Sequence, residues 1–297
     1  MLDDVNATPP LWDVLVTAGT AAGVRTAGAH LIRDGANVLF ALADDVVARI
    51  SRAGGLRGAE RELRTARWLA AQGIPVVRVA DLEQPILVGE HVVTWWAKLP
   101  EHRPATPAEL GAVLRDLHAV PIPTDLGPAN PDPFGRMVAR VSAARWLGSK
   151  DRDWLGEFLA EWRHEYENLP PGRPDCVVHG DAWQGNVVVP RQGRPVLLDL
   201  DHVGLGRPEW DLVSLAVDHT DFNRVSAEEY QAFVLAYGGY DPRDWPGYRT
   251  LATVHELRWT TFVLSKGDLS PAAAREARHR LSCLRGEVAR PWSWSAF

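Results

Sequence analysis

A chain of 297 residues, 46% hydrophobic and 24% charged, has the composition of a globular protein and excludes a disordered or low-complexity one. A formal net charge of −6 excludes a general nucleic-acid binder, whose footprint is a basic face. No uncharged apolar run approaches the roughly 20 residues that span a bilayer. The opening MLDDVNATPP is acidic and polar, where a signal peptide is basic and then apolar. Two cysteines, Cys176 and Cys283, are too few for a disulfide framework or a cysteine zinc site. The expectation is a soluble, cytoplasmic protein with no nucleic-acid and no membrane partner. At about 150 residues per domain, the length gives two domains as a prior and not as a count.

In chain order, HLIRDGANVLFAL places apolar runs on either side of Asp34-Gly35-Ala36-Asn37, a turn cluster of hairpin type. DDVVARI follows as a third short strand, rich in β-branched residues. Over 56–72 the period becomes helical, with Leu63, Ala66, Leu69 and Ala70 on one face and Gly73 ending it. IPVVRV and PILVGEHVVTWW predict two further strands. This order describes a small α+β unit over 1–97, with antiparallel strands and one helix. Only three of the 32 basic residues are lysine (Lys98, Lys150 and Lys266), so this unit has none.

After Trp96 the pattern turns helical, which makes 98–297 a larger, mainly helical unit. Thr106-Pro107-Ala108-Glu109 is a capping box with proline at the first helical position, opening a helix to about Ala119. Ser226-Ala227-Glu228-Glu229 repeats the device, and Ser270-Pro271 opens another helix. PIPTDLGPANPDPFG reads as a long structured loop. The 13 tryptophans follow no fixed period and are expected in packing.

The chemistry concentrates in DCVVHGDAWQGNVVVPRQGRPVLLDLDHVGLGRPEWDLVSLA, residues 175–216. Three β-type runs, 176–178, 187–189 and 196–198, have polar residues at their ends. The last two form a hairpin across 190–195. Symmetric pairing sets Val187 opposite Leu198, and hence Asn186 opposite Asp199, with a slip of a residue or two left open. Asp181 lies on the loop leading in. Two carboxylates and an amide at one strand end are hard oxygen donors that suit Mg²⁺.

HGDAWQGN, LLDLD and GLGRPEWDLV resemble the signature of the aminoglycoside phosphotransferases and related small-molecule kinases. That signature is HGD, four residues, Asn, then an aspartate ending the next strand, and later Gly…Asp-Leu. GAERELRTARWLAAQGIPV, RDLHAVP and DGANVLFAL extend the resemblance over most of the chain. It implies a two-lobed protein-kinase-like fold, with a nucleotide-binding N-lobe over 1–97 and a catalytic, acceptor-binding C-lobe over 98–297. It also implies an ATP- or GTP-dependent phosphotransferase acting on a hydroxyl of a small molecule. The acceptor is then an aminoglycoside-type antibiotic, with a role in resistance, or a sugar, choline, homoserine or macrolide. A catalytically silent nucleotide-binding regulator of the same fold is the reading from another class.

Carried over by resemblance, Asp181 takes the acceptor proton, and Asn186 and Asp199 hold Mg²⁺ against the nucleotide phosphates. His179 orders the loop, and Asp211 accepts its backbone N–H groups. Arg49 stands where such folds usually carry a lysine, paired with Glu62 at the edge of the helix's apolar stripe, with Glu60 as competitor. Gly35 and Asn37 belong to the nucleotide loop. Adenine meets the backbone at 94–96, from Thr94 to Trp96, where Trp95 or Trp96 flanks the ring or packs between lobes. Asp218, Asp221 and Glu256 are expected to wall the acceptor pocket. The acids Asp199, Asp201, Glu209, Asp211, Asp218 and Asp221, against Arg207 alone, tilt the expectation slightly toward a cationic acceptor.

Overall fold

The computed structural model describes residues 11–35, 37–51 and 55–297; the acidic opening and Ala36 of the expected turn lie outside them. The first elements are α1 (Leu11–Ala22), β1 (His30–Asp34), β2 (Asn37–Ala41), β3 (Val46–Ser51), α2 (Leu56–Ala71), β4 (Ile86–Val88), β5 (His91–Ala97) and β6 (His102–Pro104). Then come α3 (Pro107–His118), α4 (Pro133–Ala143), α5 (Ser149–Glu167), β7 (Cys176–Val178), β8 (Val187–Pro190), β9 (Val196–Leu197) and β10 (Gly204–Gly206). Helices α6 (Glu209–Thr220), α7 (Ala227–Tyr237), α8 (Tyr248–Leu264) and α9 (Pro271–Leu284) complete the chain. None of these helices is long and apolar enough to cross a membrane.

The chain forms two compact units, one from 1–104 with 185–203, the other from 105–184 with 204–297. This differs from a single boundary at 97/98. The cause is β6, whose His102, Arg103 and Pro104 pair antiparallel with Pro190, Val189 and Val188 of β8. That pairing draws the β8–β9 hairpin into the first unit.

In the first unit, a sheet of order β1-β2-β3-β5-β4 is antiparallel throughout. Alternation along β5 sends Val93 and Trp95 into a core with Val14, Leu15 and Ala18 of α1, and with Val38, Phe40, Ala48 and Ile50. Thr94 and Trp96 take the opposite face. The expectation of one helix omits α1, although Val14, Leu15, Ala18 and Gly19 bury one helical stripe. IPVVRV is not a strand: Val76 bridges Leu197 and Val79 bridges Trp96. Two different neighbours, and a proline lacking its N–H, leave no continuous ladder.

The second unit is helical and α+β only through the β7–β10 pair. Capping boxes at Thr106 and Ser226, and side-chain caps from Asp132 and Ser270, start α3, α7, α4 and α9. Helix α6 is buried from Glu209 to Val217 without a break, so it runs through the core instead of along a face. Gly111 lets α3 approach α7 closely, because a Cβ there meets the Phe233 carbonyl oxygen at 2.5 Å.

Candidate active site

In the second unit β7 delivers His179-Gly180-Asp181, and Gly180 turns the chain with φ +81°, a conformation that favours glycine. Asp211, in the first turn of α6, fastens this loop. Its carboxylate accepts the N–H of His179 at 2.6 Å and that of Gly180 at 2.9 Å, and lies 3.1 Å from His118 Nε2. Burial alone raises an acid's pKa. The His118 bond, the His118 and His179 charges and the backbone bond outweigh it and hold Asp211 below the ordinary carboxylate range. His118 Nδ1 in turn meets the Tyr237 hydroxyl at 2.9 Å. Trp210 Nε1 donates to the Gly180 carbonyl at 2.9 Å, and Asn130 Nδ2 does so at 3.5 Å. His179 is fully buried, whereas the Asp181 side chain is 40% exposed. Arg258 of α8, lying over Trp210 at 5.1 Å, donates to Asp181 Oδ1 at 3.4 Å.

Asn186 and Asp199 both lie in the first unit. The β8–β9 register is Val187 to Leu197 and Val188 to Val196, one residue short of the symmetric pairing. Leu198 therefore faces Asn186, donating its N–H to the Asn186 carbonyl at 2.9 Å, and Asp199 follows in a left-handed conformation with φ +57°. Aspartate tolerates that region better than most residues, and there the strand ends in a 3₁₀ turn at Leu200–His202. Among the described residues no three His, Cys, Asp or Glu side chains gather as a metal cluster. One amide and one carboxylate, both hard oxygen donors, fit Mg²⁺, which fills its octahedron with water and phosphate oxygens.

Arg49 of β3 pairs through Nη1 with Glu62 Oε1 of α2, and its Nη2 stands 3.6 Å from Asp199 Oδ1. With the Asn37 amide oriented to satisfy its neighbours, its oxygen accepts from Arg49 Nη2 at 2.7 Å and from Nε at 2.9 Å. Burial opposes the Arg49 charge, but Glu62 and Asp199 outweigh it and raise its pKa. Glu62 is 5% exposed, so this is not a surface ion pair.

The remaining nucleotide-loop and adenine positions are engaged within the first unit. Gly35 N–H donates to the Asn37 carbonyl, closing the hairpin on itself. Trp96 is buried, and its Nε1 donates to Thr94 Oγ1 at 2.9 Å. The Trp95 amide donates to Gln84 Oε1 and its carbonyl accepts from Ala80 N–H. Within the first unit these three residues are therefore packed and hydrogen-bonded in the sheet.

The three acids expected around the acceptor are engaged elsewhere. Asp218 pairs with Arg224 at 3.0 Å. Asp221 pairs with Arg249 at 2.7 Å and Arg290 at 3.2 Å, and Glu256 meets the same two arginines at 2.5 and 3.4 Å. Glu256 is 1% exposed; burial first, then its bond with Asp221, pushes its acid up to about 8. It lines a cavity of about 270 Å³ with Arg249, Arg290, Trp162 and Trp292. Two positions before Arg258, it points to nearly the opposite side of α8, away from Asp181. Glu209 is buried as well, accepting from the Tyr240 hydroxyl at 2.7 Å. The sequence-level acidity around the site is thus largely neutralised in the fold. Tyr237, Asn130 and Arg258 join the loop without a local signal in the sequence, and His118 belongs to the RDLHAVP segment. The Leu-His-x-x-Pro helix end was visible, but nothing local to HELRWTTF marks Arg258.

Residues 4–251 match the model of the phosphotransferase enzyme family. Comparison with curated proteins finds no match. Among solved structures, amicoumacin kinase hAmiN with AMP-PNP, Ca²⁺ and Ami superposes with a TM-score of 0.71 over 97% of each chain at 15% identity. A choline/ethanolamine kinase family protein from Mesorhizobium loti gives 0.61 at 18% identity, over 94% of this chain and 96% of that one. Aminoglycoside phosphotransferase APH(3'')-Id from Streptomyces rimosus gives 0.62 at 21% identity, over 85% of this chain and 100% of that one. These likenesses show a shared two-lobed, kinase-like α+β fold.

Proposed function

Since the chain belongs to the phosphotransferase enzyme family, we propose that it transfers the γ-phosphoryl group of ATP or GTP to a hydroxyl of a small molecule, with Asp181 accepting the proton. The observation that carries this reading is the contrast along HGD. His179 and Gly180 are held by the buried Asp211 carboxylate, while Asp181, the next residue, keeps a partly exposed carboxylate on that fixed loop. A general base must be both accessible and positioned.

In the transfer the acceptor oxygen forms a bond to the γ-phosphorus. The bond from that phosphorus to the β–γ bridging oxygen breaks, its electron pair leaves with the nucleoside diphosphate, and the hydroxyl proton passes to Asp181. The first unit serves the nucleotide: Arg49, held by Glu62 and Asn37, grips phosphate oxygens in place of a lysine. A planar guanidinium fixed on three sides is suited to two-point contact. Asn186 and Asp199 would hold Mg²⁺, which when bound supplies charge neutralisation at the phosphates. The second unit carries Asp181 and the acceptor. The similar structures are named for antibiotics and for choline or ethanolamine, so a hydroxyl is the part of the acceptor carried over to this chain.

The test is a screen of alcohols with Mg·ATP and Mg·GTP, reading a mass gain of about 80 Da for HPO₃, with Asp181→Asn in parallel. The variant should lose about 10²–10⁴-fold in kcat with nucleotide affinity nearly unchanged. Wild-type kcat in that variant removes Asp181 from the role. No nucleotide consumption with any alcohol would favour a silent regulator.

A further inference from the structure

The side chains gathered beside Asp181 in the second unit are cations. Arg258 reaches Asp181 Oδ1 at 3.4 Å. One turn along α8 from Arg258 stands Phe262, 39% exposed, with the Arg140 guanidinium 5.4 Å and Lys266 Nζ 4.7 Å from its ring centre. Arg140 belongs to α4, which packs on α8, and Arg136 lies one turn before it on the same face. Burial, then Arg136 and Arg258, depress the Arg140 pKa, as like charges sharing a site do.

Carboxylates offset this group only in part: Asp181 and Asp211 act on Arg258, yet burial and Arg136 leave its pKa lowered. Asp132 caps α4 and pairs with Arg163 at 3.4 Å. Asp211 is buried under His118 and the loop amides, and Asp268 accepts the N–H groups of Arg145 and Trp146. Among the described residues neither Arg136 nor Arg140 has a carboxylate partner, and Asp181 pairs with Arg258. A cationic acceptor would meet like charge here, whereas an anion would find guanidinium groups already partly desolvated.

Resting on the phosphotransferase reading, we propose that the acceptor is an anionic alcohol, its carboxylate or phosphate ester seated on Arg136, Arg140 and Arg258 while one of its hydroxyls reaches Asp181. Arg258 then binds the anion and Asp181 together, so the hydroxyl must lie close to the charged group. The ring of Phe262 offers an apolar edge to the carbon chain between them.

The experiment uses the full chain with Mg·ATP and matched acceptors: gluconate against its neutral isostere sorbitol, glucose 6-phosphate against glucose, and choline and kanamycin as cations. Transfer is read by mass. The acids should exceed their neutral isosteres by about tenfold or more in kcat/KM, and the gluconate and glucose 6-phosphate arms separate carboxylate from phosphate. Arg140→Gln, and Arg136→Gln at an exposed position, should each raise the KM of the preferred acid about tenfold, with the ATP KM changing by less than about twofold. Equal use of neutral alcohols, preference for the cations, or a rise in ATP KM instead of acceptor KM overturns the proposal. If no compound is phosphorylated, equilibrium dialysis with gluconate and glucose 6-phosphate decides, and no binding of either at millimolar concentration overturns it. Slow ATP hydrolysis, with water as acceptor, keeps the two readings apart. Its loss in Asp181→Asn upholds the phosphotransferase reading even where every acid fails.

Discussion

His118 and Asp211 stand 93 positions apart in sequence and meet at 3.1 Å, the end of α3 bracing the start of α6 beneath the HGD loop. Removing the imidazole with His118→Ala leaves a fully buried carboxylate short of one donor, which costs about 1–3 kcal/mol. Stability to urea should fall by that amount. The amides of His179 and Gly180 should exchange faster, and kcat should drop while nucleotide affinity holds. Unchanged exchange at both amides would show that the histidine does not brace the loop.

Arg49→Met should lower the free energy of unfolding by about 3–5 kcal/mol, because Glu62 stays buried without its cation. Arg49→Lys restores the charge but not the fork that holds Glu62 and Asn37 together. It should recover most of the stability while nucleotide binding stays about tenfold weaker by calorimetry. Full recovery of binding by lysine would mean that charge alone matters at this position.

Asp199→Ala should weaken Mg·nucleotide binding more than Asn186→Ala, since a charged oxygen ligand contributes more than an amide. Asp199→Asn is the control, because asparagine also tolerates the left-handed backbone at φ +57°. It should behave as Asp199→Ala does if the lost charge is the cause. Chelation of divalent ions should abolish the difference among all three variants.

His255 carries a pH dependence of stability. Burial first, and Arg258 second, push its pKa down to about 3, and its ring packs 4.9 Å from Trp210 and 6.0 Å from Trp259. The folded chain therefore binds fewer protons than the unfolded chain between about pH 3 and 6.5, so stability falls as pH falls through that window. The loss approaches about 1.4 kcal/mol per pH unit within it. His255→Phe keeps an aromatic ring in the slot, and its Tm should decline less steeply than that of the wild type from pH 6.5 to 4. Parallel slopes would assign the acid sensitivity to other groups.

Local pattern carried the hairpin, α2 and the capping boxes, because each depends on a few neighbouring residues or on one helix face, whereas the pairing of Arg49 with Glu62 rested on the resemblance together with that face. Helix α1 lies outside the expected elements although its stripe is regular. The β8–β9 register was open by a residue or two, because strands of four and two residues fix it weakly. The surroundings of Asp181 could not be read. Asp221 and Glu256 look like surface acids until Arg290, from beyond α9, is folded against them, and Arg258 looks like one arginine among many. Charge in a sequence window states what is nearby along the chain, not what is left after distant partners have paired.

The strand pairing of β6 with β8 also sets the order in which this protein can be made. As the chain leaves the ribosome, the first unit has its five-stranded sheet complete by Ala97, yet β6 emerges without its neighbour. That neighbour is synthesised about 80 residues later, after α3, α4, α5 and β7 have appeared, so the contact closes a long loop late. The second unit meanwhile cannot close until residues 185–203 have been threaded out of it and the chain has returned at Gly204. Neither half is a contiguous gene segment. A split or chimeric gene cut at the end of β5 would therefore separate β6, β8 and β9 from the rest of the first unit, and a nascent chain paused before Asn186 would hold Asp181 without Asn186 or Asp199.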